Sequence, residues 1–216
     1  MIAFVRLILS NLYAIFYEFR FMTLKFSRDI CIEEFKLINS KKICIFAIYE
    51  EKLNLSIQKT FEELIRNKYQ VIVVNSKKMN KTLLDYIASH ANVLIQINNN
   101  GKDFGKYKAG YQYMFQKKLK NVTSLLLIND SFLFLSNAHS FWNRVDSLKT
   151  DVVTIIKSEF PVTHLQSYFI LFKNKSFMNK KIKDFFVNYK NYNARYYQIK
   201  YGELGLLRVI QRTKLK

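Results

Sequence analysis

From Lys41 onward, short apolar runs alternate with segments whose apolar residues recur at helical spacing. The runs cover residues 43–48, 71–74, 93–97, 125–128, 152–156 and 168–172. Most are apolar without alternation, the pattern of strands covered on both faces. Between the first two, Ile57, Phe61, Leu64 and Ile65 fall on one helical face, with Asn54 or Ser56 available as the cap. Between the third and fourth, Phe104, Tyr107, Tyr111, Met114 and Phe115 make a second stripe whose spacing marks core packing rather than base stacking. The order βαβαβαβ, then a less regular section with two more strands and C-terminal helices, predicts an α/β fold: a doubly wound, mostly parallel central sheet. No repeat, low-complexity tract or Pro/Ser-rich linker interrupts it. The one boundary falls near residue 40, separating an N-terminal arm (1–40) from a single α/β domain (41–216).

The arm has its own pattern. Residues 1–26 are dense in large apolar side chains, yet Arg6, Glu18 and Arg20 leave an uninterrupted apolar stretch well short of the roughly 20 residues that a spanning helix needs. No small-residue cleavage site follows, so a signal peptide is not expected. Two readings remain: a helix lying on a membrane surface, or one packed on the domain.

Charge narrows the company the chain keeps. Across 216 residues the formal net charge is +19, which favours nucleic acid, an acidic membrane face or phosphorylated substrates. The 14 tyrosines and 19 phenylalanines make a basic nucleic-acid-binding protein the chief rival reading from another class, but no RNA-recognition signature is present and the aromatics mostly fit core stripes, so no nucleic-acid partner is expected. Cys31 and Cys44 lack metal-ligand spacing and are too few for a disulfide framework, which fits a reducing compartment.

Candidate chemistry lies where backbone freedom is concentrated. All five glycines fall in two segments, Gly101, Gly105 and Gly110 in one and Gly202 and Gly205 in the other, while Pro161 stands just before His164-Leu-Gln-Ser-Tyr-Phe. In parallel sheets ligands bind beyond the carboxyl ends of the strands. Residues 98–108 follow the third strand as a turn entering a helix, where N–H groups and the helix dipole attract anions and Lys102, Lys106 and Lys108 add charge suited to a pyrophosphate. The segment is neither a Walker A sequence nor a GxGxxG fingerprint. Asn75 ends the second strand and joins this donor-facing set. After the fourth strand come Asn129, Asp130 and Ser131; Asp130 can hold a divalent cation that bridges diphosphate oxygens, or cap a turn. His164 and Gln166 share one face at the start of the sixth strand, with Ser167 beside them, although a lone histidine is more often structural. Glu203 lies between two glycines and is placed either as a general base or as an exposed residue at a helix start.

Four ordered motifs, Gly-Lys-Asp-Phe-Gly-Lys-Tyr-Lys-Ala-Gly, Leu-Leu-Leu-Ile-Asn-Asp-Ser, His-Leu-Gln-Ser-Tyr-Phe and Glu-Leu-Gly-Leu, resemble the rhamnan synthesis protein F family of bacterial cell-surface polysaccharide glycosyltransferases, from about Lys42 to about Leu207. The resemblance implies a GT-A-like nucleotide-sugar fold and transfer of a hexose or deoxyhexose, such as rhamnose, from a nucleotide-diphosphate donor. The acceptor would be a saccharide or lipid-linked saccharide in lipopolysaccharide O-antigen or capsule assembly, at the inner face of the cytoplasmic membrane and its anionic surface. Lys102, Asp103 and Gly105 fall on the family's Gly-Arg-Asp-Phe-Gly segment, and Asn129, Asp130 and Ser131 on its Asn-Asp-Ser, where many GT-A enzymes place the Asp-x-Asp that holds metal and diphosphate. On this basis Lys102, Asp103, Gly105, Lys108, Asn129, Asp130 and Asn75 bind the donor, Asp130 holds Mg²⁺ or Mn²⁺, Glu203 is the base, and His164, Gln166 and Ser167 orient the acceptor. Three departures stand out: Lys102 replaces the usual Arg and would meet a phosphate as a point charge, Phe132-Leu-Phe replaces the usual turn, and Ile48 replaces a polar residue. A rival reading is a member that keeps the fold, has lost catalysis and acts as an assembly partner.

Overall fold

The computed structural model describes residues 2–23, 30–119, 121–134, 138–155, 157–158 and 164–215. At its centre is β2 (Lys42–Ile48), where every residue from Ile43 to Ile48 is fully buried. It pairs in parallel with β3 (Gln70–Asn75) on one side and β5 (Ser124–Asn129) on the other, and β3 pairs in parallel with β4 (Val93–Gln96). Antiparallel strands extend both edges: β1 (Cys31–Glu34) along β4, β9 (Phe169–Phe172) along β5, and β6 (Val152–Thr154) along β9. The sheet order is β1-β4-β3-β2-β5-β9-β6, and β7 (Lys157–Ser158) with β8 (His164–Leu165) forms a separate small hairpin.

Strand side chains alternate between faces, so β2 feeds two cores at once. Cys44, Phe46 and Ile48 face α2 (Leu55–Arg66), α3 (Lys81–His90) and α5 (His139–Ser147), through residues such as Phe61, Leu83 and Trp142. Ile43, Ile45 and Ala47 face α4 (Lys102–Gln116), α6 (Lys180–Asn188) and α8 (Leu204–Gln211), through Tyr107, Tyr111, Phe186 and Leu206. The doubly wound, mostly parallel architecture expected from the apolar runs is the one observed. Asn54 is the cap of α2, accepting the Ile57 N–H at 2.9 Å, and Asn80 caps α3 through the Leu83 N–H at 2.9 Å. Outside the two cores lie α1 (Ile2–Thr23), α7 (Arg195–Tyr197) and a π-helical turn (Gln198–Glu203) that leads into α8.

Two departures from the sequence pattern have physical causes. The sixth strand, expected to begin at His164, joins the main sheet only from Phe169: His164–Leu165 pairs with β7 instead, and between the two the Ser167 carbonyl accepts the Tyr107 hydroxyl at 2.7 Å and its N–H donates to Glu203 at 3.3 Å. The sheet also begins ahead of residue 40, since Cys-Ile-Glu-Glu of β1 pairs with β4 although it contains no apolar run.

Phe61 is fully buried between Phe46 and Tyr86, with ring centroids 5.8 and 5.7 Å away. Replacing Phe61 by Ala is expected to remove about 3–5 kcal/mol of stability through the cavity left in that face, read as a lowered urea midpoint with an unchanged slope.

Candidate functional site

The four parallel strands run in the order β4-β3-β2-β5, so the connections leaving β2 and β5 diverge toward opposite edges of the sheet, the position at which parallel sheets have their ligand crevice. Tyr49 follows β2 and Asp130 follows β5 at this point. The Asp130 N–H donates to the Ala47 carbonyl at 3.1 Å, and the Tyr49 N–H donates to Asp130 Oδ2 at 2.5 Å. One residue therefore stitches the two strand ends together. A tight turn follows, in which the Ser131 N–H donates to Asn129 Oδ1 at 3.1 Å and the Phe132 N–H to the Asn129 carbonyl at 3.2 Å. Phe132 and Phe134 pack edge-to-face with centroids 4.8 Å apart, Phe132 against Phe169 and Phe134 on Trp142.

The start of α4 closes the crevice. Gly101 has φ +86°, a left-handed conformation that admits its turn into the helix. Gly105 sits so close to the preceding loop that a Cβ would lie 2.2 Å from the Asn100 carbonyl oxygen, so its place is fixed by this close packing. The buried Asn129 Nδ2 donates to Asp103 Oδ2 at 2.8 Å and ties the end of β5 to the first turn of α4. Lys106 is only 3% exposed; its ammonium lies 3.7 Å from Asp103 Oδ1 and 5.6 Å from the centre of the Tyr49 ring.

These charges perturb one another. Burial raises the Asp130 carboxyl above its ordinary range; the Tyr49 N–H and Lys106 pull it back, while Asp103 and Glu50 push it further up. Burial lowers the Lys106 ammonium, opposed by Asp103 and Asp130 and reinforced by Lys102. The crevice thus gathers carboxylates around a buried ammonium.

Glu203 approaches from the other side. It is 5% exposed at the end of the π-helical turn, a local form frequent at functional sites, and it accepts the Ser167 N–H. The Tyr107 hydroxyl, raised well above its usual range first by burial, also feels the charges of Asp103, Asp130 and Glu203. Those three carboxylates therefore all act on the second turn of α4, where Tyr107 stands.

The other candidates are placed as follows. Lys102 is exposed at the helix start. The Lys108 ammonium donates to the Tyr189 carbonyl at 2.8 Å, and burial lowers its pKa. The fully buried Asn75 side chain donates to the carbonyls of Glu50 at 3.1 Å and Lys77 at 2.9 Å, holding the loops that border the crevice. The Gln166 side-chain oxygen is buried without a hydrogen-bond partner among the described residues. The side chain of His164, like all of Pro161, lies outside the described residues. Lys106 is the residue whose importance the sequence understated; its clue was the i, i+3 spacing from Asp103, which puts both on one side of α4.

Residues 70–208 match the family described as rhamnan synthesis protein F. The chain belongs to this family. It is 32% identical over 132 residues to the virulence protein VirA of Vibrio anguillarum, covering 56% of this chain and 43% of that protein. It is 26% identical over 178 residues to the uncharacterized protein y4gN of Sinorhizobium fredii, covering 80% of this chain and 46% of that one. The chain therefore spans less than half the length of these curated relatives. A crystal structure of a protein from Desulfovibrio desulfuricans G20, assigned as a nucleotide-diphospho-sugar transferase, superposes with a TM-score of 0.50 at 15% identity, covering 82% of this chain and 78% of that one. The fold of this rhamnan synthesis protein F family member is accordingly GT-A-like.

The raised carboxyl of Asp130 makes a signed prediction. Its native pKa lies above its ordinary value, so the stability it contributes is fully present below the ordinary carboxylate range and is lost as pH rises through the raised native value. In Asp130→Asn the side-chain oxygen still accepts the Tyr49 N–H but never ionises. The variant is expected to melt at or above the native temperature at neutral pH, with the difference vanishing in acid; a variant that melts lower at neutral pH would make Asp130 a structural cap.

Proposed function

We propose that the chain carries the donor site of a glycosyltransferase that moves a hexose or deoxyhexose from a nucleoside-diphosphate donor to a saccharide or lipid-linked acceptor, in lipopolysaccharide O-antigen or capsule assembly at the cytoplasmic membrane face. The observation that supports this most is the junction of Asp130, at the switch point, with the first turn of α4 through the Asn129–Asp103 hydrogen bond at 2.8 Å. Together with the family and the fold, it supports a reading in which the donor diphosphate lies against both segments.

Departure of the diphosphate develops negative charge. Lys106, Lys102 and the first-turn N–H groups of α4 supply fixed positive potential where that charge would appear. Asp103 and Asn75 keep the surrounding loops in register, and Gly105 allows the Asn100 loop to lie against the helix. Glu203 accepts the acceptor hydroxyl proton on its carboxylate, while Gln166, Ser167 and His164 orient the acceptor.

A divalent cation fits the donor set in part. Asp130 and Asp103 offer hard oxygen ligands, and the raised pKa of Asp130 comes first from burial, with Asp103 and Glu50 adding to it. Among the described residues, no group of three or more His, Cys, Asp or Glu forms a complete cage. Mg²⁺ or Mn²⁺ would thus be held by Asp130, with Asp103 beside it and diphosphate oxygens completing the shell, and when bound it would add positive charge to the leaving group.

A thermal-shift screen of nucleotide sugars with and without Mn²⁺ tests donor binding, because a ligand that binds only the folded state raises its melting temperature. Asp130→Asn is expected to lower turnover by about two to three orders of magnitude, the scale of removing one positioned group that stabilises developing charge. Glu203→Gln is expected to lower transfer by about 10²–10⁴-fold with donor affinity unchanged, since a base acts in the chemical step. Near-normal turnover in that variant would exclude Glu203 and turn attention to His164. Donor binding with no transfer to any acceptor would favour the assembly-partner reading.

A further inference from the structure

Over residues 9–19, where its side chains are described, α1 turns most of its large apolar residues outward. Asn11, Ala14, Tyr17 and Glu18 are the less exposed of these positions, with Ala14 at 1% exposure. The opposite side presents Leu9, Leu12, Tyr13, Ile15, Phe16 and Phe19, all 56–68% exposed. A helix packed for stability alone buries its large apolar face and shows its polar one. Here the polar side is held by a specific anchor: the Glu18 carboxylate accepts the N–H groups of Asn193 at 2.5 Å and Ala194 at 2.6 Å. Asn193 is in turn bonded to the donor loop, accepting the Gly101 N–H at 3.0 Å and donating to Asn100 Oδ1 at 2.9 Å.

The neighbouring surface has a matching composition. α1 packs on α7, and the segment around α7 contributes Tyr192 stacked on Tyr201 at 4.7 Å and Lys200 5.7 and 5.2 Å over Tyr196 and Tyr201. Tyrosines with a wet end, and lysines with apolar stems, suit the boundary between lipid and water. No described helix is long and apolar enough to cross a membrane, and the chain carries a net charge of +19.

We propose that the outer face of α1 lies on an anionic bilayer surface, and that the Glu18–Asn193–Gly101 chain of hydrogen bonds couples this seating to the order of the donor loop. The apolar side chains enter the headgroup boundary, the basic surface is attracted to acidic lipid, and Glu18 holds the helix at the angle that keeps the crevice beside the membrane. The proposal does not depend on the transfer chemistry, so its test uses no sugar nucleotide.

The whole chain is mixed with vesicles of phosphatidylcholine alone or phosphatidylcholine with phosphatidylglycerol, and sedimentation is measured at low and high salt. Binding is expected to need the anionic lipid and to weaken with salt. The paired variant Leu12→Ser, Phe16→Ser, altered only at exposed positions, is expected to keep its melting temperature and lose about tenfold or more in vesicle affinity, given the apolar burial that two such side chains provide. Hydrogen exchange supplies the coupling readout: acidic vesicles are expected to slow exchange at the Gly101 and Gly105 amides in the native chain, and not in Glu18→Ala, which still sediments. Equal sedimentation of the paired variant, or binding indifferent to lipid charge and salt, would overturn the membrane face. Conversion of the native chain alone to a dimer that Leu12→Ser, Phe16→Ser abolishes would give the face to a second copy and also overturn it. Unchanged exchange in the native chain, or equal slowing in Glu18→Ala, would overturn the coupling.

Discussion

The site depends on one carboxylate that spans two strand ends. Asp130 accepts the N–H of Tyr49 from the chain leaving β2 and donates its own N–H back to Ala47, so the two strands at the switch point are fastened where the chain diverges. Without that link, the loops after β2 and β5 would rest on their ties to other neighbours, such as Asn75 at Glu50 and Asn129 at Asp103. Asn129 then carries the connection to α4, and the helix start is held to the same point.

This arrangement has an energetic cost concentrated where chemistry is expected. A half-buried carboxyl with acidic neighbours and a buried ammonium with lowered basicity are both less favourable folded than they would be in water. The apolar cores on both sides of β2, continuous from Ile43 to Ile48, carry the stability that tolerates them. The ion pair of Lys106 with Asp103 offsets part of the ammonium's cost, and the Tyr49 ring over Lys106 adds an attraction that a neutral side chain would lack.

The parallel core was legible because its strands are apolar on both faces, and the two helical stripes were legible because Phe61 and Tyr107 recur with their neighbours at helical spacing. Caps such as Asn54 follow directly from side-chain chemistry. The polar strand β1 carries no periodic apolar pattern, so only its pairing with β4 reveals it. At Ser167, local propensity gave way to tertiary hydrogen bonds from Tyr107 and to Glu203, which no spacing rule contains. Within the site, Asp130 and Asp103 stood out as residue types in marked positions; that Lys106 is enclosed while Lys108 is bonded to the Tyr189 carbonyl is decided by which side of α4 meets the crevice.

β1 also bears on how the molecule avoids its own kind. Without it, β4 would present a row of unpaired backbone groups flanked by Val93, Leu94 and Ile95, a template for strands from other chains. The strand that covers this row carries Glu33 and Glu34, the latter paired with Lys117 at 2.6 Å, and charge along an outer strand discourages addition of another. The few residues between the helical arm and the first buried strand therefore act as a guard on sheet growth, and a shortened chain that begins after Glu34 trades that guard for an aggregation-prone edge.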